Sequence, residues 1–418
     1  MSDVLNPRVF FTPLVRNDEY GDEVEVTEYV RKSGIGAIRR GIDDTDFSFG
    51  VYNFGEVKLS LNNDSGIFNP ETDSRSMFVF KRDRAKVRVV YQRITVTRSA
   101  DGGVADSETT EDIVFRGIIA NEGIRQNVDG SQLDMRVLSR DAIINKAKVP
   151  GGAVANGILA SEAIVRCLAA DEIAAVLTVD PLNIDVDHDF TIDDGSGFDN
   201  RIVFSALTDL MIVTNSALYV DEDDNVIVRP RAANDVLDIL ELFGPFDPMG
   251  RANILNCQSA NDGMHRVFTS VSINEEVRTN EEYAEMFGFR RKDFTFGFIT
   301  DATKSQAIAD ALVDEFKFPR REMVVTVPYE VGSEVELLQP VSITWPLLTK
   351  RYTEDHHMPV VGYTTIDDTV DVLPRVSGNF EVDPSEKYRV IGIDQDPNTF
   401  TVSLKLRQAG ITYGEGVF

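Results

Sequence analysis

Apolar and polar residues alternate along the first third of the chain. Val57, Leu59 and Leu61 fall on one side of an extended segment and Lys58 and Ser60 on the other, the period of a strand buried on one face. The run breaks at Asn62-Asn63-Asp64-Ser65-Gly66, where Asn, Asp and Gly tolerate positive φ and bond their own backbone. Phe68 then predicts an aromatic tucked inward, and Pro70 ends local pairing. Arg8–Phe11, Val24–Val30, Phe47–Tyr52, Lys86–Val90 and Ile113–Phe115 have strand composition. Ser99-Ala100-Asp101-Gly102-Gly103 reads as a polar hairpin tip. A further hairpin runs from Ile124 to Arg140, turning at Asp129-Gly130, with Leu133, Met135 and Val137 on one face.

After Pro150-Gly151-Gly152 the period changes. Ile164, Cys167 and Leu168 stand at helical spacing within 158–168, and Leu207, Leu210 and Met211 within a helix from Ser205 to about Asn215. Ala217–Val220 and Val226–Pro230 flank an acidic turn, Asp221 to Asn225, and read as a hairpin. Strands resume from about 241, at Val267–Ile273, Met323–Val327 and Val341–Trp345. A helix over Ser305–Phe316 presents Ile308, Ala311, Leu312 and Phe316 inward, capped by Asp301 or Thr303. The chain closes on a hairpin, Tyr388–Ile393 with Phe400–Leu406. The expected class is α+β and mainly β. The expected units are 1–150, a small α/β unit at 151–240, and 241–418 with a helix at about 303–317.

Composition narrows the function classes. The 418 residues carry 69 Asp plus Glu against 42 Lys plus Arg, a net charge of −27. Such a surface repels nucleic acid and anionic lipid, so DNA is expected only in passage. The basic cluster Lys81-Arg82-Asp83-Arg84 reads as an acidic neighbour's contact or as a solvated strand entry. Cys167 and Cys257 have no zinc spacing, no apolar run reaches the length of a membrane span, and Met1-Ser2-Asp3 opens no secretory signal. Asn183, Asp185, Asp187 and Asp189 alternate before Asp193-Asp194, but no register supplies the Gly and Glu of a calcium loop. His356-His357 would point to opposite faces of a strand, which disfavours a shared metal, and His188 and His265 stand alone. Gly34-Ile35-Gly36 opens no helix and is no phosphate loop. There is no GxSxG elbow, HExxH or Cys/His nucleophile constellation, and nothing argues for a cofactor or for catalysis.

The order of these pieces resembles bacteriophage tail hub proteins, whose first barrel shows a leucine strand, an Asn-x-Asp-Gly-x-Phe-x-Pro turn and a strand ending Phe-x-Gly. The matching residues are Leu59, Leu61, Asn62, Asp64, Gly66, Phe68, Pro70, Phe115 and Gly117. The resemblance implies two tail-tube-like β-barrel domains with α/β inserts, and a homotrimer with pseudo-sixfold symmetry. Such a ring joins a sixfold tail tube, or distal tail protein, to threefold fibre, spike or tape measure proteins. It implies a virion structural protein of the tail tip, without enzymatic activity or stable membrane insertion. The tip around Ser99 to Ser107 is then the expected tube contact. The alternative is a carbohydrate-binding or depolymerising tail protein, against which stand a single tryptophan, Trp345, and no fixed-period repeat. A secreted adhesin is a third reading, disfavoured by the missing signal.

Overall fold

The alternating segments pair into one open sheet that runs through most of the molecule. The structure, a computed structural model, describes residues 2–16, 19–42, 52–68, 81–98, 104–127, 130–231, 238–244, 251–261, 266–317, 319–320, 322–344 and 387–409. The fold is α+β and mainly β, 45% strand and 23% helix. The 15-stranded sheet follows the order Asn256–Asn261, Glu322–Pro328, Thr401–Gln408, Lys387–Asp396, Ile38–Ile42, Tyr52–Asn62, Gln132–Ser139, Val104–Gln126, Lys81–Arg98, Ser2–Arg16 and Glu19–Tyr20. Short strands branch from this path. Pro340–Thr344 pairs with Lys387–Asp396, and Leu240–Phe243 lies parallel to Pro340–Thr344.

Tyr52–Asn62 is the axis of the first half. Its Val57, Leu59 and Leu61 are fully buried, opposite Val137, Met135 and Leu133 of Gln132–Ser139. Its other edge is shared between Val30–Ile35 and Ile38–Ile42. Two separate barrels were the expectation; the described strands close no barrel. The reason is a seam. Ile38–Ile42 offers its second edge to Lys387–Asp396, with Gly41 opposite Gly392 and Ile38 opposite Gln395. Unpaired edge groups are costly when buried, and here each half satisfies the other's. Aromatic rings reinforce the junction. Tyr91 of the first half meets Tyr329 and Phe400 of the second with centroids 4.5 and 5.5 Å apart.

Two smaller units sit on this frame. In the first, helices Ala160–Cys167 and Val203–Val213 pack beside the hairpin Ser216–Val220 with Val226–Pro230. Val203–Val213 is apolar around most of its circumference and correspondingly buried. In the second, helix Ala302–Phe316 packs on a three-stranded sheet of its own, Glu276–Thr279, Ser270–Ile273 and Arg291–Phe294. Asp301 is its cap, its carboxylate accepting the Thr303 N–H at 2.7 Å.

Gly117 shows how tightly the first half is built. It lies opposite Val87 on one side and Ser139 on the other. A Cβ there would stand 2.6 Å from the Phe115 ring and closer still to the Leu138 carbonyl. Gly117→Ala is expected to lower unfolding free energy by about 2–3 kcal/mol, read from the urea midpoint at unchanged m-value.

Candidate assembly site

The turn after Tyr52–Asn62 is held by one buried side chain. Asn63 is 2% exposed. Its carbonyl oxygen Oδ1 accepts the Phe68 N–H at 3.1 Å, and its Nδ2 donates to the Gly130 carbonyl at 3.1 Å. Its backbone N–H reaches Ser131 O at 2.8 Å, and its carbonyl takes the Gly66 N–H at 2.8 Å. Gly66 supplies the positive φ of +70° that closes the turn. Phe68, fully buried, then meets Tyr29 edge-on at 5.3 Å and Phe11 at 6.2 Å. Asn62 has a lesser role, its side chain accepting the Asp64 N–H at 3.1 Å on the exposed side.

The residues picked from the sequence thus form two groups. Asn62, Asp64, Gly66 and Phe68 make the turn at the Leu61 end of the strand. Phe115 and Gly117 lie on Val104–Gln126, near the opposite end of Gln132–Ser139, and the turn does not touch them through the pairing. Leu59 and Leu61 line the core between. Pro70, the tip residues 99–103, Trp345, His265, His356 and His357 lie outside the described residues. Asn63 was missed, yet it continues the buried series 57, 59, 61 by two, and that parity is the signal that marks it.

Beyond the turn, the sheet extends as a three-stranded arm. Ser2 to Asn6 pair with Gln92 to Val96, which pair in turn with Ser107 to Glu111. Among the described strands, none pairs with the outer edge of Ser2–Pro7 or of Val104–Asp112. The arm's root carries a charge ladder. Arg8 pairs with Glu25 and, at 3.3 Å, with Glu111; Arg88 pairs with Glu23 at 2.6 Å, and Arg93 with Asp112 at 3.6 Å. Each exposed pair contributes little to stability, but cross-strand pairs of opposite sign favour one register.

The acidic runs are structural. Asp189 accepts the Ser161 N–H and hydroxyl at 3.0 and 2.6 Å, Asp187 accepts Asn215 Nδ2 at 2.8 Å, and Asp194 accepts the Ser196 N–H at 2.9 Å. Asp193 ties the first small unit to the second, taking Lys304 Nζ and the Thr300 and Asp301 N–H groups at 2.8 and 3.0 Å. Burial acts to raise its pKa, but the Lys304 bond and the two amides outweigh it and bring the carboxyl to about 2. The hairpin tip at 221–225 docks on the large sheet. Asp224 meets Arg140 at 2.9 Å and Arg116 at 3.5 Å, and Glu222 meets Arg40 at 2.7 Å. Among the described residues, no group of three His, Cys, Asp or Glu side chains is placed to hold a metal. Among them, no helix is long and apolar enough to cross a membrane.

No family model and no curated protein matches the sequence. Solved structures do match over nearly the whole length. A tail protein from Neisseria meningitidis MC58 superposes with a TM-score of 0.54 at 12% identity, covering 97% of each chain. The chain shares the fold of this tail protein. The 43 kDa tail protein of prophage MuSo2 from Shewanella oneidensis gives 0.51 at 10% identity, covering 96% of this chain and 98% of its own. At these identities the fold is what is shared.

Two substitutions test the site. Asn63→Ala leaves the buried Phe68 N–H without its partner and is expected to cost about 1–3 kcal/mol; Asn62→Ala, on the exposed side, is expected to stay within about 0.5 kcal/mol. Equilibrium urea unfolding separates the two. For Asp193, the folded pKa lies below the ordinary unfolded value of about 3.9. Its stabilisation is therefore fully present above about pH 4 and is lost as pH falls toward about 2. Asp193→Asn is expected to be less stable than the native chain at pH 7, by about 2 kcal/mol, with the difference shrinking across that acid window in unfolding curves.

Proposed function

We propose that the chain is a structural component of a phage tail tip or related injection device, a hub that assembles as a homotrimer. In this reading it joins the sixfold tail tube, or a distal tail protein, to threefold central fibre or spike proteins. The observation that carries it is the arm with its two open edges. The edges belong to different segments, Ser2–Pro7 and Val104–Asp112. Edges that differ pair head to tail, and a head-to-tail contact that closes makes a ring. Each sheet half then supplies a curved wall that a neighbouring copy completes as a barrel. The tail-protein fold over the whole chain supports the same reading. The net charge of −27 suits a bore that DNA crosses without adhering. Residues 1–150 and 241–418 would supply the two walls and 151–240 the insert between them.

Particle images and mass photometry of the full chain test this. A threefold ring is expected; a strict monomer at micromolar concentration contradicts it. Adjacent residues of a strand point their N–H groups to opposite edges. Of Thr109→Pro and Thr110→Pro, one therefore removes only the outward donor. That variant is expected to keep its thermal midpoint and lose the ring.

A further inference from the structure

Residues 280–290 form a projection that is anchored firmly at its base and bare at its end. The Asn280 side chain accepts the Tyr283 N–H at 3.2 Å and caps helix Glu281–Phe287. Gly288, at φ +82°, stops it. Fully buried Thr269 ties both ends together. Its carbonyl takes the Asn280 N–H at 2.9 Å, and its hydroxyl donates to the Gly288 carbonyl at 3.1 Å and accepts the Arg290 N–H at 3.0 Å.

The helix itself buries none of its residues. A helix this short is not stable through propensity and normally depends on a packed face. Tyr283 and Phe287 are half-buried, with Lys317 Nζ 5.3 Å from the Tyr283 ring centroid, but two apolar side chains face outward. Phe289 is 65% exposed and Met286 41%, beside the stacked rings of Tyr283 and Phe287. A built, preorganised apolar tip of this kind marks a contact surface.

The charge around the tip says what it contacts. Glu281, Glu282 and Glu285 are exposed on the helix. Arg290-Arg291-Lys292 follow at once, the one run of three basic residues in a chain with 69 acidic and 42 basic side chains. Arg291–Phe294 is moreover an outer strand of its sheet. Along the chain the apolar pair therefore follows the glutamates and precedes the basic run, of which Arg291 also pairs with Asp293 at 2.7 Å. A partner must present the complementary order, basic, apolar, acidic, and this chain carries it. We propose that the projection is a contact between copies, with Met286 and Phe289 of one copy docked beside the basic run of the next and the glutamates facing that run. At long range the net charge keeps copies apart, so contact favours the place where positive charge is concentrated. The proposal rests on the ring-forming reading above.

The test uses the full chain with Phe289 replaced by photoreactive benzoylphenylalanine, irradiated at a concentration where mass photometry records the oligomer. Covalent adducts between copies are expected, with the acceptor peptide inside 276–294. A second variant, Met286→Ser with Phe289→Ser, removes only exposed side chains. It is expected to keep the native thermal midpoint while the dissociation constant of the oligomer rises at least about tenfold. An oligomer that forms without such adducts, or that the double variant leaves equally tight, overturns this contact and leaves the ring standing. A chain that never oligomerises overturns both.

Discussion

The seam between Ile38–Ile42 and Lys387–Asp396 is the constraint on which the rest depends. It pairs a strand near the start of the chain with one near its end and so turns two half-sheets into one. Its geometry leaves little latitude. Gly41 and Gly392 stand opposite each other, where a Cβ on either would lie 3.2 to 3.3 Å from backbone or side-chain atoms of the neighbouring strands. Ile38, Ile42 and Ile393 are buried along it, and Asn398 Nδ2 reaches back to the Ile35 carbonyl at 2.9 Å. The Tyr91, Tyr329 and Phe400 rings close the interior side. Because the core is continuous across the seam, the two halves hold one orientation.

That frame explains how the other parts are placed. The turn at Asn63 fixes the end of the axial strand, and the Phe68 ring sets where Ser2–Arg16 crosses it through Phe11. The same first strand then runs on into the arm, so the arm's aim follows from the turn. The α/β units are fastened differently. Polar latches at Asp193–Lys304 and at Glu222 and Asp224 accompany ring contacts such as Phe54–Phe204 at 5.3 Å and Phe198–Phe298 at 4.8 Å. A frame joined by backbone pairing, with side units placed by directional ion pairs, suits a part that holds position within a larger assembly.

Much of this was legible in the sequence, for local reasons. Alternation at 57, 59 and 61, helical spacing from Ser205 to about Asn215 and over Ser305–Phe316, and turn residues at 221–225 each depend on neighbours a few positions away. The seam left no such mark, because a strand's partner hundreds of residues distant changes nothing in its own period. Nor could composition separate structural carboxylates from metal ligands. The Asp-rich run at 185–194 looks alike in both cases until its N–H donors are known. Glu322 makes the same point inside the sheet. Burial alone would raise its pKa, but Arg407 at 2.9 Å, Arg266 at 3.5 Å and Lys405 at 3.8 Å outweigh it and hold the carboxylate ionised. Three adjacent turn formers, Asn62, Asn63 and Asp64, were likewise indistinguishable by type. Only parity with the buried leucines sets Asn63 apart.

Through the seam the two half-sheets form one rigid body. Amide hydrogen exchange of the full chain, resolved by peptide, tests it most directly. Residues 38–42 and 392–395 are expected to exchange together, and as slowly as the core segments 57–61 and 133–137. Fast exchange at the seam, with both half-sheets still protected, would contradict the account and return the molecule to two independent units.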